Sequence, residues 1–149
     1  MAELFRPRQI LLADDDPDDN LLFRDALEEI YLPSLLTTVR DGEPLIGLLM
    51  EMQPLTDILF LDLNMPKKNG LDCLKSMRQI KLLRQLPVII FSTSFEPIVV
   101  DQLYDNGARY YIRKPNDYSE LKQVIVRVLT LTISGPNAQP SRNQFELLS

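Results

Sequence analysis

Residues 11–20 read LLADDDPDDN: the end of an apolar run, then five aspartates within six positions, interrupted by one proline. Two like charges about 4 Å apart repel by roughly 4 kcal/mol at an effective dielectric of ~20, so this crowding calls for a compensating charge. Gln9–Ala13 has the composition of a buried strand, and Pro17 suits the first turn of a helix, where its missing N–H costs nothing. Leu21, Leu22, Ala26, Leu27 and Ile30 follow at helical spacing. The stretch therefore reads as a strand that feeds a helix through an acidic loop, with Asp16 as a candidate N-cap.

The same alternation continues downstream. Strands are predicted at 35–40 (LLTTVR), 57–62 (DILFLD), 87–91 (PVIIF) and 109–113 (RYYIR). Helices are predicted at 44–52, 71–80, 98–106 and 117–133, the one at 98–106 ending on a left-handed cap at Asn106-Gly107. Leu121, Val124, Ile125, Val128 and Leu129 form the buried stripe of the last helix. The apolar strands DILFLD and PVIIF imply burial on both faces. Five βα units of this kind predict an α/β fold: a doubly wound, five-stranded parallel sheet with helices on both faces. Residues 1–133 are expected to form one domain. Residues 134–149, polar and carrying Gly135, Pro136 and Pro140, are expected to be a disordered tail, its apolar end Phe145–Leu148 loose rather than docked.

Composition narrows the function. A chain of 149 residues is long enough for one domain with a sizeable core. A net charge of −5 and a pI near 4.7 argue against a nucleic-acid surface. The single cysteine, Cys73, excludes an internal disulfide and fits a reducing compartment; within GLDCLKSM it reads as a small core residue. The chain has no histidine, which removes Ser-His-Asp and Cys-His catalysis, His-containing zinc sites and any phosphohistidine on this chain. The start, MAELFRPRQ, is too short and polar for a signal peptide, and no apolar run reaches membrane-spanning length. A cytoplasmic protein without membrane contact is expected.

In open α/β sheets, ligands bind beyond the carboxyl ends of the strands. That rule gathers Asp14 and Asp15 from the first strand, Asp62 from the third, Ser92 and Thr93 from the fourth, and Lys114-Pro115 after the fifth. Three carboxylates at one edge need a cation, and an all-oxygen donor set favours a hard ion such as Mg²⁺. With a lysine and hydroxyls beside the metal, the site suits a phosphoryl group. Asp62, which ends the most apolar strand, is the natural nucleophile.

These motifs together resemble the receiver domain of two-component response regulators, the CheY-like family with a flavodoxin-like (βα)5 fold. They are ADD at 13–15, FLDLNMP at 60–66 with Gly70, VIIFSTS at 88–94 and YIRKP at 111–115, and the resemblance spans roughly residues 8–131. It implies that Asp62 accepts a phosphoryl group from a partner phosphohistidine, on a sensor histidine kinase or a phosphotransfer protein. It also implies that Asp15, Asp14, Asp62 and the Asn64 backbone carbonyl hold Mg²⁺, with Asp14 acting through water. Ser92 would be the switch hydroxyl, Tyr111 the aromatic switch, and Lys114 the phosphoryl partner, aimed by a cis Lys114–Pro115 bond. Thr93 is bulkier than the small residue common at its position, which would alter phosphoryl access or lifetime. Asp16, Asp18 and Asp19 are assigned to helix capping and solvation. The protein would not be an enzyme beyond its own phosphorylation and dephosphorylation. Output would pass through the surface of helix four, strand five and helix five, by homodimerisation or by docking to a downstream protein. The stand-alone format and the DLNMP and KP motifs suggest pairing with phytochrome-like or hybrid kinases.

Three other readings fit the residues less well. An EF-hand fails because Asp19 stands where glycine must turn the loop and Asp25 where glutamate is needed. A haloacid-dehalogenase-like phosphatase wants a second Asp two residues after the nucleophile, and Asn64 is there instead. A pseudo-receiver that binds partners without phosphorylation usually lacks the acceptor, the acidic pair or the lysine, all present here.

Overall fold

A computed structural model describes residues 7–30 and 32–147. Residues 1–6, and with them most of the MAELFRPRQ stretch, lie outside the described residues, as does Leu148. The elements are β1 (Arg8–Ala13), α1 (Pro17–Glu28), β2 (Ser34–Val39), α2 (Leu45–Glu51), β3 (Ile58–Leu61), α3 (Gly70–Arg78), β4 (Val88–Ser92), α4 (Pro97–Asp105), β5 (Tyr110–Arg113), α5 (Tyr118–Ile133) and β6 (Glu146–Leu147).

All strands pair in parallel, in the order β2-β1-β3-β4-β5-β6. The order reverses at β1: β2 lies on one side of it and β3 on the other, which opens a crevice beyond their carboxyl ends. Alternate side chains of the same strands feed two separate cores. Leu11, Leu59, Leu61, Val88 and Ile90 pack with Leu45, Leu49, Cys73, Leu74, Met77, Val100 and Leu103, so α2, α3 and α4 cover that face. Ile10, Leu12, Ile58, Phe60, Ile89 and Phe91 pack with Phe23, Ala26, Val124, Ile125 and Val128, so α1 and α5 cover the other. Edge-to-face rings of Phe23 and Phe60, 4.9 Å apart, and of Phe23 and Phe91, 5.7 Å apart, fill the centre of the second core.

Local chemistry sets the helix starts. The Asp16 side chain accepts hydrogen bonds from the Asp18 and Asp19 N–H groups, and Pro17 opens α1, as the acidic stretch implied. Asn69 and Asp117 cap α3 and α5 in the same way. Gly107, at φ 86°, turns the chain out of α4 into β5.

The sheet has six strands, not the expected five. The sixth comes from the segment expected to be a disordered tail. Glu146 and Leu147 pair with Tyr111 and Ile112, and the Phe145 ring is wholly buried against the first core. Polar composition misled here because one aromatic side chain, packed on residues more than 30 positions away, supplies the burial that orders the segment. Among the described residues, no helix is long and apolar enough to cross a membrane.

Candidate functional site

The crevice beyond β1 and β3 gathers the residues named from the sequence. The Asp14 N–H donates to the Val39 carbonyl and the Asp62 N–H to the Ala13 carbonyl, so both aspartates leave neighbouring strands at the same level. The backbone of Lys114 donates to the Ser92 carbonyl at 2.9 Å, which sets the lysine beside the end of β4. Gly70 completes the frame: a Cβ there would lie 2.3 Å from the Asp62 carbonyl oxygen, so only glycine lets α3 start this close to the acid.

Asp14, Asp62 and Ser92 are buried, while Asp15 is exposed at the mouth. Lys114 Nζ donates to Asp14 Oδ2 at 2.7 Å and to Asp19 Oδ2 at 2.8 Å, and lies 3.6 Å from Asp62 Oδ2. Oxygen atoms of Asp14, Asp15 and Asp62 fall within 4.8 Å of one another. Three carboxylates, of Asp14, Asp19 and Asp62, thus share the ammonium of Lys114, and Asp15 adds a fourth negative charge beside Asp14 and Asp62. Burial pushes the Asp14 carboxyl up, from 3.8 to about 6, against the lowering effect of its hydrogen bonds from Lys114 and the Asp16 N–H. Burial alone would lower Lys114, but its hydrogen bonds to Asp14 and Asp19 and the nearby negative charges outweigh that and raise it, so the lysine stays charged. The excess of negative charge at a half-buried, all-oxygen cluster without histidine or cysteine fits a small, hard divalent cation.

The opposite wall is a chain of hydrogen bonds. Asn64 Nδ2 donates to Ser94 Oγ at 2.8 Å, and the Ser94 N–H donates to Ser92 Oγ at 3.2 Å. The Tyr111 hydroxyl donates to the Ser94 carbonyl. Tyr111 is buried, its ring edge-on to Phe95 at 5.9 Å and to Phe145 at 6.5 Å, and burial pushes its phenol up to about 12. Thr93 is exposed and Pro115 half-buried next to Lys114.

Two sequence expectations change. The Lys114–Pro115 bond is trans; the described cis bond is Gln53–Pro54. The lysine reaches three carboxylates without a cis turn, because the strand-end hydrogen bond to Ser92 already aims it. Asp19 is more than a solvated helix-start acid, since it shares Lys114 with Asp14. Its place on the first turn of α1, close in the chain to Asp14, was the available signal. No sequence signal marks Ser94, because its role as the link between Asn64, Ser92 and Tyr111 depends on the path of the loop after β4.

With this geometry established, comparisons with known proteins agree. Residues 10–126 match the response regulator receiver domain. Response regulator Rcp1 of Synechocystis sp. is 28% identical over 124 residues, covering 80% of this chain and 84% of Rcp1. The probable C4-dicarboxylate response regulator DctR of Bacillus subtilis is 31% identical over 117 residues; the match covers 78% of this chain and spans 50% of DctR. The crystal structure of the phosphorylated cyanobacterial phytochrome response regulator RcpA superposes with a TM-score of 0.79 at 30% identity, covering 87% of this chain and 96% of RcpA.

Proposed function

Because the chain belongs to the response regulator receiver domain family, we propose that it takes a phosphoryl group on Asp62 from a phosphohistidine of a sensor histidine kinase or phosphotransfer protein. One observation carries this reading: a buried Asp62 carboxylate sits 3.6 Å from the Lys114 ammonium and within 4.8 Å of oxygens from Asp14 and Asp15. An Asp62 oxygen forms a bond to phosphorus as the phosphorus–nitrogen bond of the donor breaks, and the electron pair returns to the donor imidazole. Asp14, Asp15, Asp62 and the Asn64 carbonyl would hold Mg²⁺, which would supply charge neutralisation for the transferred group.

The chain's own residues do the rest. Lys114 pairs with a phosphoryl oxygen once Asp62 is modified, and the hydrogen bond from the Ser92 Oγ–H to another oxygen draws Ser92 inward. Thr93, exposed at the rim, shapes access for the donor and for water. Movement of Ser92 withdraws the acceptor of the Ser94 N–H, and the loop carrying Ser94 also holds the Tyr111 hydroxyl. Output then leaves through α4, β5 and α5, to a downstream protein or a second copy of the chain. The likeness to RcpA, itself described as phosphorylated and as a phytochrome response regulator, supports a kinase of that type as donor.

The test is incubation with acetyl phosphate and Mg²⁺ followed by peptide mass spectrometry. One hydroxylamine-sensitive adduct on Asp62, absent from Asp62→Asn, is expected. An adduct on another residue, or undiminished labelling of the variant, would overturn the assignment.

A further inference from the structure

The face assigned to output is already covered. After α5 the chain turns at Gly135-Pro136 and runs across α4 and the outer edge of β5. Gln139 Nε2 donates to the Tyr104 carbonyl at 2.7 Å and to the Ala108 carbonyl at 2.8 Å, taking up carbonyls near the end of α4. The Tyr104 hydroxyl in turn donates to the Pro140 carbonyl at 2.7 Å. Arg142 donates two hydrogen bonds to Asp101 Oδ1, at 3.0 and 2.8 Å. The Tyr111 N–H donates to the Phe145 carbonyl at 2.9 Å, and the Phe145 ring packs on Tyr104 at 5.2 Å and on Tyr111 at 6.5 Å.

The anchors are uneven. Phe145 is wholly buried, whereas the Arg142–Asp101 pair is exposed and β6 has two residues. A segment held by two buried side chains, Phe145 and Leu147, a two-residue strand and polar bonds that are exposed or only partly buried belongs to the part of a fold that opens early. Its buried anchor also rests on Tyr111, and Tyr111 is tied through Ser94 to Ser92 and Asn64 at the acidic pocket. A continuous set of contacts therefore joins Asp62's surroundings to the segment.

We propose that residues 135–147 form an intramolecular strap that covers the α4–β5 edge in the unphosphorylated protein and is released when Tyr111 moves. This rests on Asp62 being the phosphoacceptor. Release exposes the β5 edge, Tyr104 and the α4 surface together, so a partner gains that face only after phosphorylation. By linkage, whatever loosens the strap also favours the phosphorylated conformation, and by the same factor.

The experiment uses the full chain, Mg²⁺ and beryllofluoride as the phosphoryl mimic, with hydrogen exchange read by mass spectrometry. Amides of residues 137–147 and Tyr111 are expected to exchange about tenfold faster on binding, while β1 and β3 stay protected. Arg142→Ala and Phe145→Ala are expected to bind beryllofluoride with Mg²⁺ about fivefold more tightly than the unaltered chain. Arg142→Ala, which removes the bonds to Asp101 and Glu146 and the guanidinium over the Phe145 ring but leaves that ring buried, keeps the test sound if Phe145→Ala fails to fold. Unchanged strap protection in a protein that binds the mimic and takes label on Asp62 overturns the strap alone. Unchanged or weaker affinity in a folded Arg142→Ala protein does the same. A chain that neither binds the mimic nor takes label on Asp62 overturns the phosphoacceptor reading, and the coupling with it.

Discussion

Replacing Asp14 with asparagine is expected to stabilise this protein at neutral pH, although it removes one half of a 2.7 Å ion pair. The reason lies in the charge balance of the pocket. The Asp14 carboxyl is raised from 3.8 to about 6 chiefly by burial, so its ionised form is less favourable in the folded chain than in the unfolded one. A shift of about two units corresponds to about 3 kcal/mol, on the order of 1.36 kcal/mol per unit. Asparagine approximates the protonated acid in shape and leaves Lys114 its bond to Asp19. The pH dependence has a definite sign. Between pH 4 and 6 the native state holds a proton that the unfolded state has released, so stability of the unaltered chain falls as pH rises through that window. The gain from Asp14→Asn is therefore near zero below about pH 4 and full above about pH 6. For a chain of this size about 3 kcal/mol corresponds to a rise of roughly 6–12 °C in Tm. The assay is urea unfolding of both proteins at several pH values, with EDTA present. A variant less stable than the unaltered chain at pH 7, or a gain that is the same at pH 4 and pH 7, would refute the reasoning. Adding Mg²⁺ should then raise the unaltered chain's Tm and have less effect on the variant, because a bound cation supplies the charge that the substitution makes unnecessary.

Four further outcomes are expected. EDTA should stop labelling of Asp62 by acetyl phosphate and excess Mg²⁺ should restore it; labelling that persists in EDTA would remove the metal from the reaction. Lys114→Met should cost about 3–5 kcal/mol at pH 7 in urea unfolding, since it strands buried carboxylates, with a smaller loss at pH 5, where Asp14 is protonated. Gly70→Ala should displace Asp62 and cost about 1–3 kcal/mol, read as a lower urea midpoint together with slower labelling. Burial pushes the Cys73 thiol up from 9.0 to about 11, so iodoacetamide should modify it at pH 8 roughly a hundredfold more slowly in the folded protein than in urea. Stability should also fall as pH rises from about 9 to 11, because the unfolded thiol ionises first.

The βα alternation was legible because the sheet is buried on both faces: runs such as Ile58–Leu61 have no polar side to obscure them. The convergence of Asp14, Asp15, Asp62, Ser92 and Lys114 was legible because each ends or follows a strand, and parallel strands deliver all their carboxyl ends to one edge. Asp19 was read as capping because helix-start acids usually serve that purpose; only the path of Lys114 shows that it completes the ion cluster. The trans Lys114–Pro115 bond and the Ser94 link were hidden for a related reason, since both depend on how two loops meet.

Local patterning by itself determined the order of elements from β1 to α5, the two-faced core and the set of acidic, hydroxyl and lysine side chains delivered to one edge of the sheet. Those properties follow from periodicity and from the direction of each strand, which are written in consecutive residues. Tertiary structure alone decided which carboxylates share Lys114, and that a polar C-terminal segment adds a sixth strand over Tyr111. Both arise between groups far apart in the chain, where the free energy comes from a buried ring or a shared charge and not from the composition of the segment that supplies it.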